Sequence, residues 1–354
     1  KEMIWSSKEF INIMLATLLG AALWINVATF FKAPISTTNS IVWGLIWAWL
    51  AAAGPSIVKW WKIWEIASSW IISLIMWWII SVLIFISIRK TILKRDERWE
   101  AAKHWVPIYV WIMMMIFSIY LLLKWLKPVL SSNEFLHNII NPTNAIFLWL
   151  LIWVASYMIL IVMYKKHKKS FFKDDKEFIN TLFNVPLIFA VALLSFAHWS
   201  NDVANAIWPL AAINETIKNG WAEIVKAAWV PFWIMMIGAV FLSLWLSIFG
   251  ARLIKTVWNE ITKLDQIRAF CVALSAAATV LLASALWLPV SSTQIALWAI
   301  FGIWLFRQYL SSKKWEDKEV IDKSMMKGIL LSWVVTLPIA WAIAAITYII
   351  LMQF

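Results

Sequence analysis

Glycine is scarce in this chain, 8 residues of 354, while tryptophan reaches 30. Cysteine is scarcer: Cys271 stands alone inside an apolar run, so no disulfide framework can form. Acidic residues are nearly missing from the apolar runs. Asp202 is the only one deep inside any of them, and Glu65 merely flanks another. No second membrane carboxylate, nucleophile elbow or metal-ligand cluster accompanies Asp202. Those absences count against an intramembrane enzyme using Asp202 and His198 as an acid–base pair, the reading from another functional class.

What is present is apolar. Hydrophobic residues make up 63% of the chain, against roughly 45–50% in a soluble domain. They gather into about ten charge-poor runs: 10–31, 35–53, 64–88, 105–123, 143–163, 181–214, 228–251, 269–287, 289–306 and 328–352. About 18–20 apolar residues cross the hydrocarbon of a bilayer as a helix. The expected fold is an all-α polytopic membrane protein. The second, sixth and ninth runs contain Pro, Asn, Asp or Ser/Thr clusters and read as broken or re-entrant helices.

A net charge of +12 suggests nucleic acid in a soluble protein, but here the basic residues set orientation. Loops 89–104, 164–180, 252–268 and 307–327 carry six, six, four and six Lys/Arg, whereas 54–63, 124–142 and 215–227 carry two each. The first group is expected in the cytoplasm and the protein in the inner (plasma) membrane. The assignment is consistent if 10–53 and 269–306 each return to the side they left.

An internal repeat joins those two returning pairs. Pro34-Ile35-Ser36-Thr37-Thr38-Asn39 recurs as Pro289-Val290-Ser291-Ser292-Thr293-Gln294, and Trp43, Trp47 and Trp49 align without a gap on Trp298, Gly302 and Trp304. Five spans separate the copies, so the second is expected upside down. A Pro followed by hydroxyl residues is costly in mid-helix but suits a helix start, where free N–H groups and the positive dipole end make an anion site. Inverted repeats with half-helix ends at the midplane are an architecture of secondary transporters.

A third polar element runs from Phe196 to Pro209 and contains His198, Ser200, Asn201, Asp202 and Asn205. Asn201 and Asn205 share a helical face beside Asp202. An ionisable group at this depth is a functional candidate, and carboxylate with amide and hydroxyl oxygens suits a hard cation such as Na⁺, or a proton on the carboxylate.

At these residues the chain resembles the inorganic phosphate transporter (PiT) family of cation-coupled symporters. Ser200 to Asn205 matches the family's Asn-Asp signature, and the two hydroxyl clusters match its Pro-Val-Ser-Thr-Thr-His motif. The resemblance covers about residues 10–350. It implies import of phosphate held by Ser36, Thr37, Thr38, Ser291, Ser292 and Thr293, with the coupling cation at Asn201, Asp202 and Asn205, Na⁺ resting on Asp202 and Asn205. His198, Ser200, Asn39 and Gln294 would support the site; Asn39 and Gln294 stand where the family usually has His. Sulfate is the nearest alternative substrate, and a channel or sensor the third option. No cofactor is expected beyond Na⁺ or H⁺ as coupling ion. The partners are phosphate and membrane lipid, with a homodimer left open, and nucleic acid is not among them. The family's first Asn-Asp motif is absent upstream of residue 10, which reads as N-terminal truncation. Three segments follow: 1–63, the remainder of the first repeat; 64–180, connecting helices and basic loops; and 181–354, the second repeat.

Trp199 and Trp208 sit where the family has Gly. Trp77, Trp78, Trp111, Trp287 and Trp298 also fall within spans or motif elements, although Trp belongs in interfacial belts. Small residues let helices approach, which indole cannot do. Many of these Trp therefore read as glycines encoded by UGA.

Overall fold

A computed structural model describes residues 6–31, 35–121, 175–219, 230–250, 265–286, 288, 290–312 and 323–353, with scattered residues between 147 and 162. Run 143–163 and most of the basic loops lie largely outside the described residues. So do Pro34, Pro289 and Trp287.

The described elements are helical. They are α1 (Ser7–Phe30), α2 (Thr37–Ala53), α3 (Trp60–Ile88), α4 (Arg98–Leu121), α5 (Asp175–Leu182), α6 (Asn184–Lys218), α7 (Phe232–Trp245), α8 (Gln266–Ala285), α9 (Ser292–Ser312) and α10 (Lys323–Leu351). Single π-helical turns extend α3 over Arg89–Leu93 and α7 over Leu246–Gly250. Among the described residues six stretches are long and apolar enough to cross a membrane: Ser7–Phe30, Trp60–Leu93, Asn184–Lys218, Phe232–Gly250, Gln266–Ser284 and Trp333–Leu351. Their outward faces are apolar, as with Ile71, Ile72 and Ile75 on α3 and Phe232, Phe241 and Leu244 on α7. In a bilayer that face meets lipid at no cost.

Local chemistry fixes the helix starts. Ser6 and Glu9 form a capping box for α1, Glu9 N–H donating to Ser6 Oγ at 3.2 Å and Ser6 N–H to Glu9 Oε2 at 3.1 Å. Asp265 caps α8 by accepting from Arg268 N–H at 2.9 Å. Gly54, with φ +72° and ψ −179°, ends α2 in a region that only glycine enters freely.

The sixth run departs from the sequence expectation. α6 is continuous for 35 residues through Asn201, Asp202 and Pro209. Pro209 removes one N–H, the one owed to the Asn205 carbonyl. The Asn amides bond to other elements instead of competing with their own backbone. Breaks do occur at the two hydroxyl motifs, where the chain leaves α1 and α8 and restarts as α2 and α9.

Packing gathers around α6. Its first half (Ala190, Leu193, Ala197) lies in the main core with α3, α4, α5, α8 and α9. Near its other end, Ala212 and Ile213 join Phe10, Ile13 and Met14 of α1, Ala48 of α2 and Tyr348 of α10. One hydroxyl-motif helix thus belongs to each group, and Asp202 sits on α6 between them.

Candidate functional site

The two hydroxyl motifs build the same local structure. Ser36 caps α2, its Oγ accepting from Asn39 N–H at 3.0 Å, and Ser291 caps α9, its Oγ accepting from Gln294 N–H at 3.2 Å. These serines occupy the same place in the repeated motif, so equal sequence gives an equal helix start. Each uses an oxygen lone pair for the cap, which leaves its hydroxyl hydrogen to donate elsewhere.

The next pair in the motif, Thr37 and Ser292, meets at Asp202. Thr37 Oγ1 donates to Asp202 Oδ2 at 2.8 Å, and Ser292 Oγ donates to Oδ1 at 3.4 Å. Asn201 Nδ2 donates to Oδ1 at 3.1 Å, and His198 Nε2 lies 2.8 Å from Oδ2. Four donors therefore face one carboxylate that is 8% exposed, matching the roughly four lone-pair sites an ionised carboxylate offers. Burying a charge costs several kcal/mol unless it is solvated by the protein in this way. His198 stands one turn before Asp202 on α6, and its side chain is 42% exposed.

The third motif pair diverges. Thr38 is fully buried. Its hydroxyl donates to the Val290 carbonyl at 3.0 Å and accepts from Asn205 Nδ2 at 3.0 Å and Asn201 Nδ2 at 3.4 Å. Asn201 also donates to the Val290 carbonyl, at 2.9 Å. Thr38 thus ties the start of α2 to the residue preceding the other motif's serines, with α6 as the third partner. Thr293 remains half-buried at the start of α9.

Asn39 and Gln294 are buried beside their caps, and Asn39 Oδ1 has no hydrogen-bond partner among the described residues. Ser200 is half-buried on α6. The structure brings Thr37, Thr38, Ser292, His198, Asn201, Asp202 and Asn205 into one bonded cluster, with Ser36 and Ser291 as caps at its edge. The Val290 carbonyl is the participant that side-chain reasoning does not find. The only sequence signal for it is its place directly before Ser291, where a helix start leaves a backbone oxygen outside the helical ladder.

Chemically the cluster is rich in hydroxyls, amides and carbonyl oxygen around a single carboxylate. Among the described residues no three His, Cys, Asp or Glu side chains group as a metal-binding set. Oxygen donors of this kind suit hard monovalent or divalent cations. The helix starts beside them present N–H groups and a positive dipole end to an anion.

A sequence model described as "Phosphate transporter family" matches residues 1–344. A Helicobacter pylori protein (strain ATCC 700392 / 26695) named "Putative phosphate permease" is 44% identical over 310 residues, which cover 87% of this chain and 56% of that protein. The chain thus spans little more than half the length of that relative. A Pyrococcus abyssi protein of the same name is 33% identical over 337 residues, 95% of this chain and 78% of its own. Among solved structures, one titled "The sodium-dependent phosphate transporter" superposes with a TM-score of 0.86 at 26% identity, covering 99% of this chain and 82% of the other. A match of the family model over nearly the whole chain, and a solved relative of the same fold, agree: this chain belongs to the phosphate transporter family.

Proposed function

We propose that the protein containing this chain imports inorganic phosphate across the inner membrane in symport with a cation, by alternating access. One observation carries the reading. Two copies of a hydroxyl motif, distant in sequence, send equivalent side chains, Thr37 and Ser292, to the same buried carboxylate. Inverted repeats that meet at a midplane site rock about it and open it to each side in turn.

In this reading Ser36, Thr37, Thr38, Ser291, Ser292 and Thr293, with the backbone N–H groups at the starts of α2 and α9, form the phosphate pocket. Asp202, Asn201 and Asn205 hold the cation, and Na⁺ is favoured by the oxygen-rich donor set and by the name of the structural relative. As the carboxylate's acceptor sites are filled by protein donors, an entering cation displaces at least one of them. Thr37 or Ser292 is the candidate to swing from Asp202 to a phosphate oxygen. That exchange couples the two ligands, because the cation frees the hydroxyl that the anion needs.

The test uses the full-length protein in vesicles with labelled phosphate. An imposed Na⁺ gradient is expected to drive saturable uptake that excess sulfate inhibits weakly. Uptake that follows a proton gradient and ignores Na⁺ assigns the coupling to H⁺, and equal competition by sulfate makes the substrate a tetrahedral oxyanion in general. Uptake indifferent to both gradients refutes symport.

A further inference from the structure

Four glycines lie within helices α1, α2, α7 and α9, and each packs on another helix. A Cβ on Gly20 of α1 would come within 2.8 Å of the Ala344 Cα on α10, and one on Gly238 of α7 within 2.9 Å of Ile207 on α6. Gly44 of α2 lies against the Thr17 carbonyl of α1, and Gly302 of α9 against the Trp78 ring, the Trp78 Cα and Ser81 Oγ of α3. Glycine is used where helix backbones approach.

The indoles do the opposite. Trp24, Trp43, Trp77, Trp298 and Trp304 each bury a ring N–H that finds no acceptor among the described residues. An indole nitrogen can only donate, so burial without an acceptor forfeits its bond to water. A membrane protein rich in genuine Trp would keep those donors at the interface, as it does with the exposed Trp60, Trp61 and Trp64 at the start of α3.

The α3–α9 seam makes the conflict local. Ser69, Ser73 and Ser81 are buried at four- and eight-residue spacing on α3, a stripe of small side chains along one face. Ser81 Oγ donates across to the Ala299 carbonyl of α9 at 3.2 Å. Position 77 completes that spacing, yet carries a fully buried Trp. On α9, Trp298 stands one turn before Gly302, the residue whose absent side chain admits α3. Trp298 is also the repeat partner of Trp43, and neither ring N–H has an acceptor among the described residues. The repeat pairs Trp47 with Gly302, so one side of the alignment already carries glycine.

We infer that positions 77 and 298 are glycine in the protein made by its own cell. UGA codons at these places are decoded there as glycine and give tryptophan only when read by another code. The consequence is a row of small residues on α3 at 69, 73, 77 and 81, facing an α9 that carries glycine at 298 and 302 and meets the Trp78 ring at Gly302, with α9 starting at Ser292. Trp208, at 48% exposed, has room for its ring and does not share this argument. The inference is independent of the substrate.

The test is a peptide mass measurement on the protein purified from the cells that carry its gene, covering residues 69–81 and 292–306, beside the codons at 77 and 298. Glycine masses at both positions over UGA codons are expected. A tryptophan mass at either position, or a UGG codon at either, overturns the inference.

Discussion

At the scale of single residues the site turns on Asp202. Its charge is solvated by Thr37, Ser292, Asn201 and His198, and hydrogen bonds to a charged group contribute about 1.5–3 kcal/mol each. Asp202→Asn keeps the volume and removes the charge. Gradient-driven phosphate uptake is expected to fall to below about a tenth of wild type, the tenfold that ~1.4 kcal/mol represents, with folded protein still recovered from membranes as the control. Uptake unchanged in that variant would refute the proposed coupling role of Asp202. Thr38, proposed above as part of the phosphate pocket, also ties α2 to α6 and to Val290. Thr38→Val keeps the shape but takes the acceptor from the Asn205 amide and one of two donors from the Val290 carbonyl, which keeps Asn201, at a cost of about 1–3 kcal/mol in stability. Its expected signature is a lowered unfolding midpoint, read by thermal scan. Asp202 and its Asn neighbours were legible in sequence because a carboxylate is too costly in an apolar run to be retained there without a use. The Val290 carbonyl was not, because every residue has one and only neighbouring elements decide which is used.

At the scale of elements, helix starts were readable and continuity was not. Ser36 and Ser291 announce α2 and α9, since capping is a contact between residues three apart. α6 carries Asn, Asp and Pro and still runs for 35 residues, because its polar side chains are satisfied by α2, α9 and Val290 from outside. Helix contacts are the second element-scale fact. Gly20 admits α10 so closely that Gly20→Ala must push the pair apart. Overpacking of this kind costs about 1–3 kcal/mol, and the expected result is a lower unfolding midpoint with less folded protein recovered from membranes. A variant as stable as wild type would show that α1 and α10 slide without loss. In a bilayer this matters more than it would in water, since lipid is as apolar as leucine and close packing provides much of the association between helices.

For the whole molecule, hydrophobic content and basic-loop asymmetry give a membrane protein with loops 89–104, 164–180, 252–268 and 307–327 expected in the cytoplasm. Cys271 is buried, so labelling with a membrane-impermeant thiol reagent starts from a quiet background. Asp96→Cys is expected to react only from the cytoplasmic face and Ser56→Cys only from the other, as both positions are exposed. Reaction of both from one face would overturn the topology. The sequence by itself determined the solvent, the helical class, the two hydroxyl motifs and the carboxylate of Asp202 within an apolar run, because hydropathy, capping and charge are properties of short stretches. It could not determine that Thr37 and Ser292, 255 positions apart, would share Asp202, or that α1 and α2 would pack with α10 while α3 packs with α8 and α9. Those pairings are set by which helix faces fit closely enough to exclude lipid and satisfy buried donors, and that fit exists only once the tertiary structure has formed.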